Sequence, residues 1–195
     1  MIRPLTQEDI PQLVPVHIEN SLAWSHNARL GEGHVTNIYR TILTAEESFG
    51  FGYFTPEGRV VSFITATTDY FATMKKLYAL VSWRQYGALL AHLLRHPGEA
   101  GDLWEAKFVI PRLLKTWDIS AFLLTWHNNF KEKDTPVAAV YCMQKTLAEL
   151  KKRGCAVCTV QVDAQNERPN AYYRSIRSDL RFSSRHNNIY EIPTV

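Results

Sequence analysis

The chain is predicted to fold as an α/β protein: an α+β mixed sheet flanked by helices, with a helical insertion after its third strand. Three observations carry that prediction. Residues 49–67 read as two strands joined at a Pro-Glu-Gly turn, and residues 119–192 alternate strand, helix, strand and helix. Between them, residues 70–117 are rich in Leu, Ala, Trp and basic side chains and read as helical. The 195 residues make one domain, 1–195, with 70–117 inserted in it.

Residues 2–5 form a short first strand. Thr6-Gln7-Glu8-Asp9 then places an acid three residues after a hydroxyl, the signature of a helix start. Ile10, Leu13, Val14, His17 and Ile18 follow at helical spacing, and Pro11 and Pro15 weaken or kink that helix. A second helical stretch covers 33–43. Phe49 to Phe54 is an aromatic strand interleaved with glycine. In the turn, Pro56 presets φ and Gly58 accepts a positive one, and Val60 to Thr67 runs back as a strand. The segment 70–117 reads as two or three helices broken at His96-Pro97-Gly98 and near Pro111.

Ile119 to Trp126 is an apolar strand and 128–135 a polar loop. Pro136 to Arg153 is a helix with Val140, Met143, Leu147 and Leu150 on one face and Lys145, Glu149 and Lys152 on the other. Pro136 suits the first helical turn, and Gly154 is a natural stop. Ala156 to Val162 is a strand, Pro169 to Ser178 a helix, and Phe182 to Ile192 one or two closing strands.

Composition narrows the function classes. Apolar residues make up 46% and charged residues 21%, the balance of a globular protein rather than a disordered one. A net charge of +3 does not argue for nucleic acid. The longest run without Asp, Glu, Lys or Arg is Ile119–Phe130, 12 residues, against roughly 20 for a membrane span. The opening MIRPLTQEDI has no apolar signal core, and three scattered cysteines make no disulfide framework. A cytoplasmic location is therefore expected. Cys155 and Cys158 form a CxxC with no second pair to complete a zinc site, so they read as core thiols, and no metal is expected.

No G-x-S-x-G, P-loop, G-x-G-x-x-G or H-E-x-x-H occurs. His17, His26 and His34 lack metal-ligand spacing and read as surface or half-buried side chains. Two local features carry more. In 127–139, lysines precede a helix that opens on small residues, which reads either as an anion site at a helix N-terminus or as an ordinary capped helix with a solvated loop. In 160–173, a strand ends in a polar turn and a helix follows with Tyr172 and Tyr173, one of which must pack inward. A phenol there that faces a cleft could act as a general acid.

With these parts in order, the chain resembles the GNAT (N-acetyltransferase) superfamily over nearly its whole length, as a divergent member with a helical insertion. The opening IRPLTQEDIPQLVPVH resembles that family's start, and Leu30-Gly31 through YFTPEGRVVSFITATTD its second helix and central hairpin. Asn166 with Tyr173 seven residues later matches its N-x-x-A-x-x-x-Y. The expected pyrophosphate loop departs from the pattern at Lys133-Asp-Thr-Pro136-Val137-Ala138, where Pro136 stands for the first glycine. Ser62 replaces a hairpin glycine, and Arg177 to Phe182 replaces the usual Gly-Phe.

The resemblance implies transfer of an acetyl group from acetyl-CoA to a primary amine of a small molecule or amino sugar. It implies that Tyr173 protonates the departing thiolate. Backbone at Trp126 would bind the pantetheine arm, Lys133 and the amides of Val137, Ala138 and Ala139 the pyrophosphate, and Asn166 completes the cofactor set. His127 is a candidate base set against a structural role. Two alternatives stand beside this: a non-catalytic binding module of the same fold, and an acyltransferase using a longer acyl-CoA or acyl-carrier donor. Residues 70–117 carry seven basic and three acidic side chains, and 168–185 five and one, so the charge gathers in two segments. That distribution favours an anionic ligand and admits peripheral membrane contact through 70–95. A homodimer is also admitted.

Overall fold

The computed structural model of the chain describes residues 1–21, 26–176 and 178–194. Arg177 and the His26 side chain, both considered above, lie outside what it describes. Strands β1 (Ile2–Pro4), β2 (Ser48–Phe54), β3 (Val60–Thr67), β4 (Phe122–Asn128), β5 (Val157–Asp163), β6 (Asp179–Ser183) and β7 (Asn187–Pro193) form one sheet in the order β1-β2-β3-β4-β5-β7-β6. Every neighbouring pair is antiparallel except β4 and β5, which are parallel.

Helices α1 (Ile10–Ser21), the single turn α2 (His26–Arg29) and α3 (Glu32–Thr44) connect β1 to β2. The Asp9 carboxylate accepts the Thr6 N–H at 2.8 Å and pairs with Arg3 at 2.6 Å, which fixes the entry to α1. The helix runs through Pro15 to Ser21. Leu13, Val14, Val35 and Tyr39 bury themselves against Phe54, Val60 and Phe63, filling one face of the sheet. Gly52 is needed in the aromatic strand: a Cβ there would come within 2.7 Å of Leu5 and Phe54.

The opposite face carries α8 (Thr135–Lys152) and α9 (Glu167–Ser175). Cys142, Met143, Leu147 and Leu150 of α8 pack on Ile64, Ala66, Leu123, Cys158, Val160 and Tyr190. Gly154, at φ +86°, ends α8 as expected. Cys158 lies in this core and Cys155 is half-buried; burial raises the Cys142 thiol to about 11 and that of Cys158 to about 12. Ser62, in place of the hairpin glycine, is fully buried.

Between β3 and β4 the chain builds α4 (Tyr70–Tyr78), α5 (Trp83–Arg95), α6 (Ala100–Trp104), a π-helical turn (Glu105–Val109) and α7 (Ile110–Thr116). Tyr70, Ile110 and Leu114 anchor its two ends on Phe122 and Ile189. The break at Pro97 occurs; near Pro111 the chain stays helical, and the change there is from the π-helical turn, which ends at Val109, to α7. An unforeseen break falls before Ser82, whose hydroxyl and Gln85 form a capping box for α5.

Candidate active site

β4 and β5 pair only at Phe122–Thr159 and Leu123–Val160. Beyond these, β4 keeps its bonds to β3 and β5 its bonds to β7, so the two strands part. The parting begins at a bulge: Ala66 pairs with Leu123 and Thr65 with Thr125, leaving Leu124 as the extra residue. The bulge also reverses the side-chain alternation. Trp126 thereby joins Leu123 on the α8/α9 face, and His127 turns to α1.

The parted strands enclose a crevice of about 330 Å³ lined by residues 122–126 and 160–163 with Asn166, Pro169 and Tyr173. It adjoins a wider cleft of about 570 Å³, since Trp126 and Asn166 line both. The ends of α1 and β4, the first turns of α8 and α9, and Phe130 enclose this cleft. β4 extends two residues past the expected Trp126, so His127 and Asn128 belong to the strand and face the cleft. Asn20 holds the end of α1 there through the Asn128 carbonyl at 2.7 Å.

The start of α8 is pinned by Thr135, whose hydroxyl donates to the Asn129 carbonyl at 2.8 Å. Ala138 N–H already donates to the Asp134 carbonyl at 2.9 Å, so the expected run of free amides over Val137–Ala139 is shorter than read. Helix geometry leaves Thr135 and Val137 N–H without intrahelical acceptors, and Pro136 between them has none to offer. Thr135, Pro136 and Ala139 line the cleft. Lys133 is exposed just before the helix and makes no ion pair among the described residues.

Asn166 caps α9 through its backbone, and its side-chain amide makes no hydrogen bond among the described residues. Inside that turn, Asn170 is fully buried and satisfied. Its Nδ2 donates to the carbonyls of Asp163 and Asn166, each at 2.8 Å, and its Oδ1 accepts from Asn188 and Tyr190. Nothing in the linear pattern singled out Asn170.

The two tyrosines divide. Tyr172 is half-buried and lines the wide cleft; Tyr173 is 1% exposed, lines the crevice and stacks on Tyr190 with ring centroids 5.3 Å apart. Burial, then the neighbouring Tyr172 and Cys158, raises the Tyr173 phenol well above its ordinary value, so it stays protonated at neutral pH. Its hydroxyl makes no hydrogen bond among the described residues. Trp126 packs edge-on against both rings.

Arg168 was read only as part of a basic segment. It lines the cleft, its guanidinium 4.3 Å from the Phe130 ring centroid, and it makes no ion pair among the described residues. An aromatic shelf holds an unpaired cation at the mouth, beside the N-terminus of α8. His127 is buried, its ring 4.3 Å from that of His17 and its Nδ1 3.5 Å from Ser21 Oγ. Burial, then His17, lowers it well below the usual histidine range. Trp126 Nε1 and Asn128 Oδ1 are buried without a hydrogen-bond partner among the described residues, beside the space a ligand would fill.

No protein-family model and no curated protein sequence matches the chain. Solved structures do. The ribosomal-protein-S18-alanine N-acetyltransferase from Escherichia coli is 14% identical with a TM-score of 0.58, covering 100% of this chain and 93% of its own. The PaiA N-acetyltransferase from Thermoplasma acidophilum, in complex with coenzyme A, is 15% identical at 0.55, covering 99% and 98%. Apo FdhC, a nucleotide-linked sugar GNAT, is 11% identical at 0.61, covering 98% and 85%.

Proposed function

We propose that this chain, which has the fold of the GNAT N-acetyltransferases, transfers an acetyl group from acetyl-CoA to a primary amine of a small molecule or amino sugar. The observation that carries the proposal is the crevice between β4 and β5. It exposes unpaired strand edge on two sides, adjoins a cleft lined by a helix N-terminus and by Arg168, and has at its wall the Tyr173 phenol, without a hydrogen bond among the described residues. A strand edge with open N–H and C=O groups suits an amide-bearing arm such as pantetheine. Thr135 and Val137 N–H, Lys133 and Arg168 suit a pyrophosphate.

In this reading the amine nitrogen attacks the thioester carbonyl and loses its proton. The carbon–sulfur bond breaks as the acetyl group passes to nitrogen, and Tyr173 gives its phenolic proton to the departing sulfur. Burial keeps His127 neutral and also makes it a weak base, so the proton lost by the amine passes to water in the wide cleft.

A second reading concerns the proton donor. Tyr172, one residue earlier, faces the roomier cleft, so its hydroxyl is the alternative acid. An amino-sugar acceptor draws support from the nucleotide-linked sugar GNAT among the structural neighbours. The test is incubation with acetyl-CoA and a panel of amines, amino sugars and peptides, read by mass spectrometry and release of free thiol. An acetylated product with stoichiometric thiol supports the proposal. Thiol release absent with every amine favours the non-catalytic module.

A further inference from the structure

The insertion leaves an amphipathic helix with an exposed apolar stripe. No described residue from 74 to 109 is buried, and α5 contributes to none of the three core clusters. Trp83 is 91% exposed and Leu94 77%, with Tyr86 and Leu90 also exposed between them. Their spacing at i, i+3, i+7 and i+11 gathers them within about a quarter of the helix circumference. Trp104 and Phe108, rings 4.6 Å apart, extend the apolar surface into the π-helical turn.

Among the described side chains, which leave out Glu99 and Asp102, the charges around this stripe are of one sign. Arg84 and Arg95 sit about a third of a turn from it, and Lys107 lies 5.5 Å from the Tyr86 ring centroid. Lys75, Arg112 and Lys115 stand exposed on α4 and α7. Among the described residues none of these six makes an ion pair. Glu105, the acid closest in sequence to Lys107, is turned away to Asn187 at 3.1 Å. A second copy seated face to face would set Arg84 and Arg95 against their own counterparts, a like-charge contact. The chemistry that suits the surface is apolar and anionic at once, with tryptophan at the boundary between them.

We propose that α5 and the π-helical turn form a peripheral docking surface for an anionic lipid bilayer, with Trp83, Leu90 and Leu94 entering the headgroup boundary. Arg84 and Arg95 then lie among the phosphates. The ends of the insertion are anchored on the sheet through Tyr70 and Leu114.

The test is co-sedimentation of the full chain with vesicles of phosphatidylcholine alone and of phosphatidylcholine mixed with phosphatidylglycerol. Binding is expected only to the anionic vesicles and should weaken as salt rises. Arg84→Glu with Arg95→Glu should reduce it by about tenfold or more. Trp83→Ser with Leu90→Ser and Leu94→Ser should abolish it while leaving the circular dichroism spectrum and thermal transition unchanged, because these side chains are not buried. Three results would overturn the proposal. One is no binding to anionic vesicles at low salt. Another is a dimer in light scattering that the serine variant dissolves. The last is saturable binding of a purified acidic carrier protein with none to vesicles.

Discussion

The Tyr190 phenol donates to Asn170 Oδ1 at 2.9 Å while its ring stacks on Tyr173. One buried amide therefore ties β7, the turn after β5 and the tyrosine helix together. Asn170→Leu would strand the Tyr190 hydroxyl and the Asn188 amide and leave the Asp163 and Asn166 carbonyls with their backbone donors alone. It should cost about 3 kcal/mol and lower the thermal midpoint by roughly 10 °C. Calorimetric unfolding measures this, and a shift within error would mean that water replaces the amide.

Tyr173 and Tyr172 are separable by single-atom changes. Tyr173→Phe should lower turnover by about a hundredfold with little change in donor affinity, since in the proposed mechanism the phenol acts only on the departing sulfur. Tyr172→Phe should leave turnover within a few-fold. Steady-state kinetics decides between them, and the reverse pattern assigns the acid to Tyr172.

Acid should unfold the protein before its carboxylates titrate. Burial, helped by His34, holds His17 at about 4, against 6.5 when unfolded. Below 6.5 the unfolded chain takes up a proton that the folded one refuses, so stability falls from about pH 6.5 down to about 4. His17 alone accounts for on the order of 3 kcal/mol. His127, lowered in the same direction, steepens the loss. Urea unfolding across that range measures the slope, and His17→Asn should flatten it.

The thiols should react in order of burial. Cys142 and Cys158 are both raised and enclosed, and only Cys155 is half-buried. A thiol reagent at pH 8 should label Cys155 in the native state and all three only after unfolding. Mass spectrometry of the labelled peptides reports the order.

Much of the architecture was legible because it is written locally. The Pro56–Gly58 turn, the Gly154 stop and the Asn166–Tyr173 spacing each act over a few residues, and the structure places them in the elements expected. What was missed depends on distant chain. The reach of β4 to Asn128 follows from pairing with Ser62, which overrides the polarity of His127 and Asn128. The bulge at Leu124 decides which side chains of β4 meet Tyr172 and Tyr173, and it has no local signature. The Arg168–Phe130 shelf joins residues from separate loops, and Ala138 looked free because the helix was read from Pro136, whereas α8 begins at Thr135 with Asp134 as its cap.

The account rests on the crevice as a site for acetyl-CoA, and isothermal titration with that ligand tests it most directly. One site per chain is expected, with affinity reduced about tenfold by Arg168→Ala through loss of the cation at the mouth. Absence of binding at millimolar acetyl-CoA, or binding indifferent to Arg168→Ala and to filling the crevice by Val162→Trp, would contradict it.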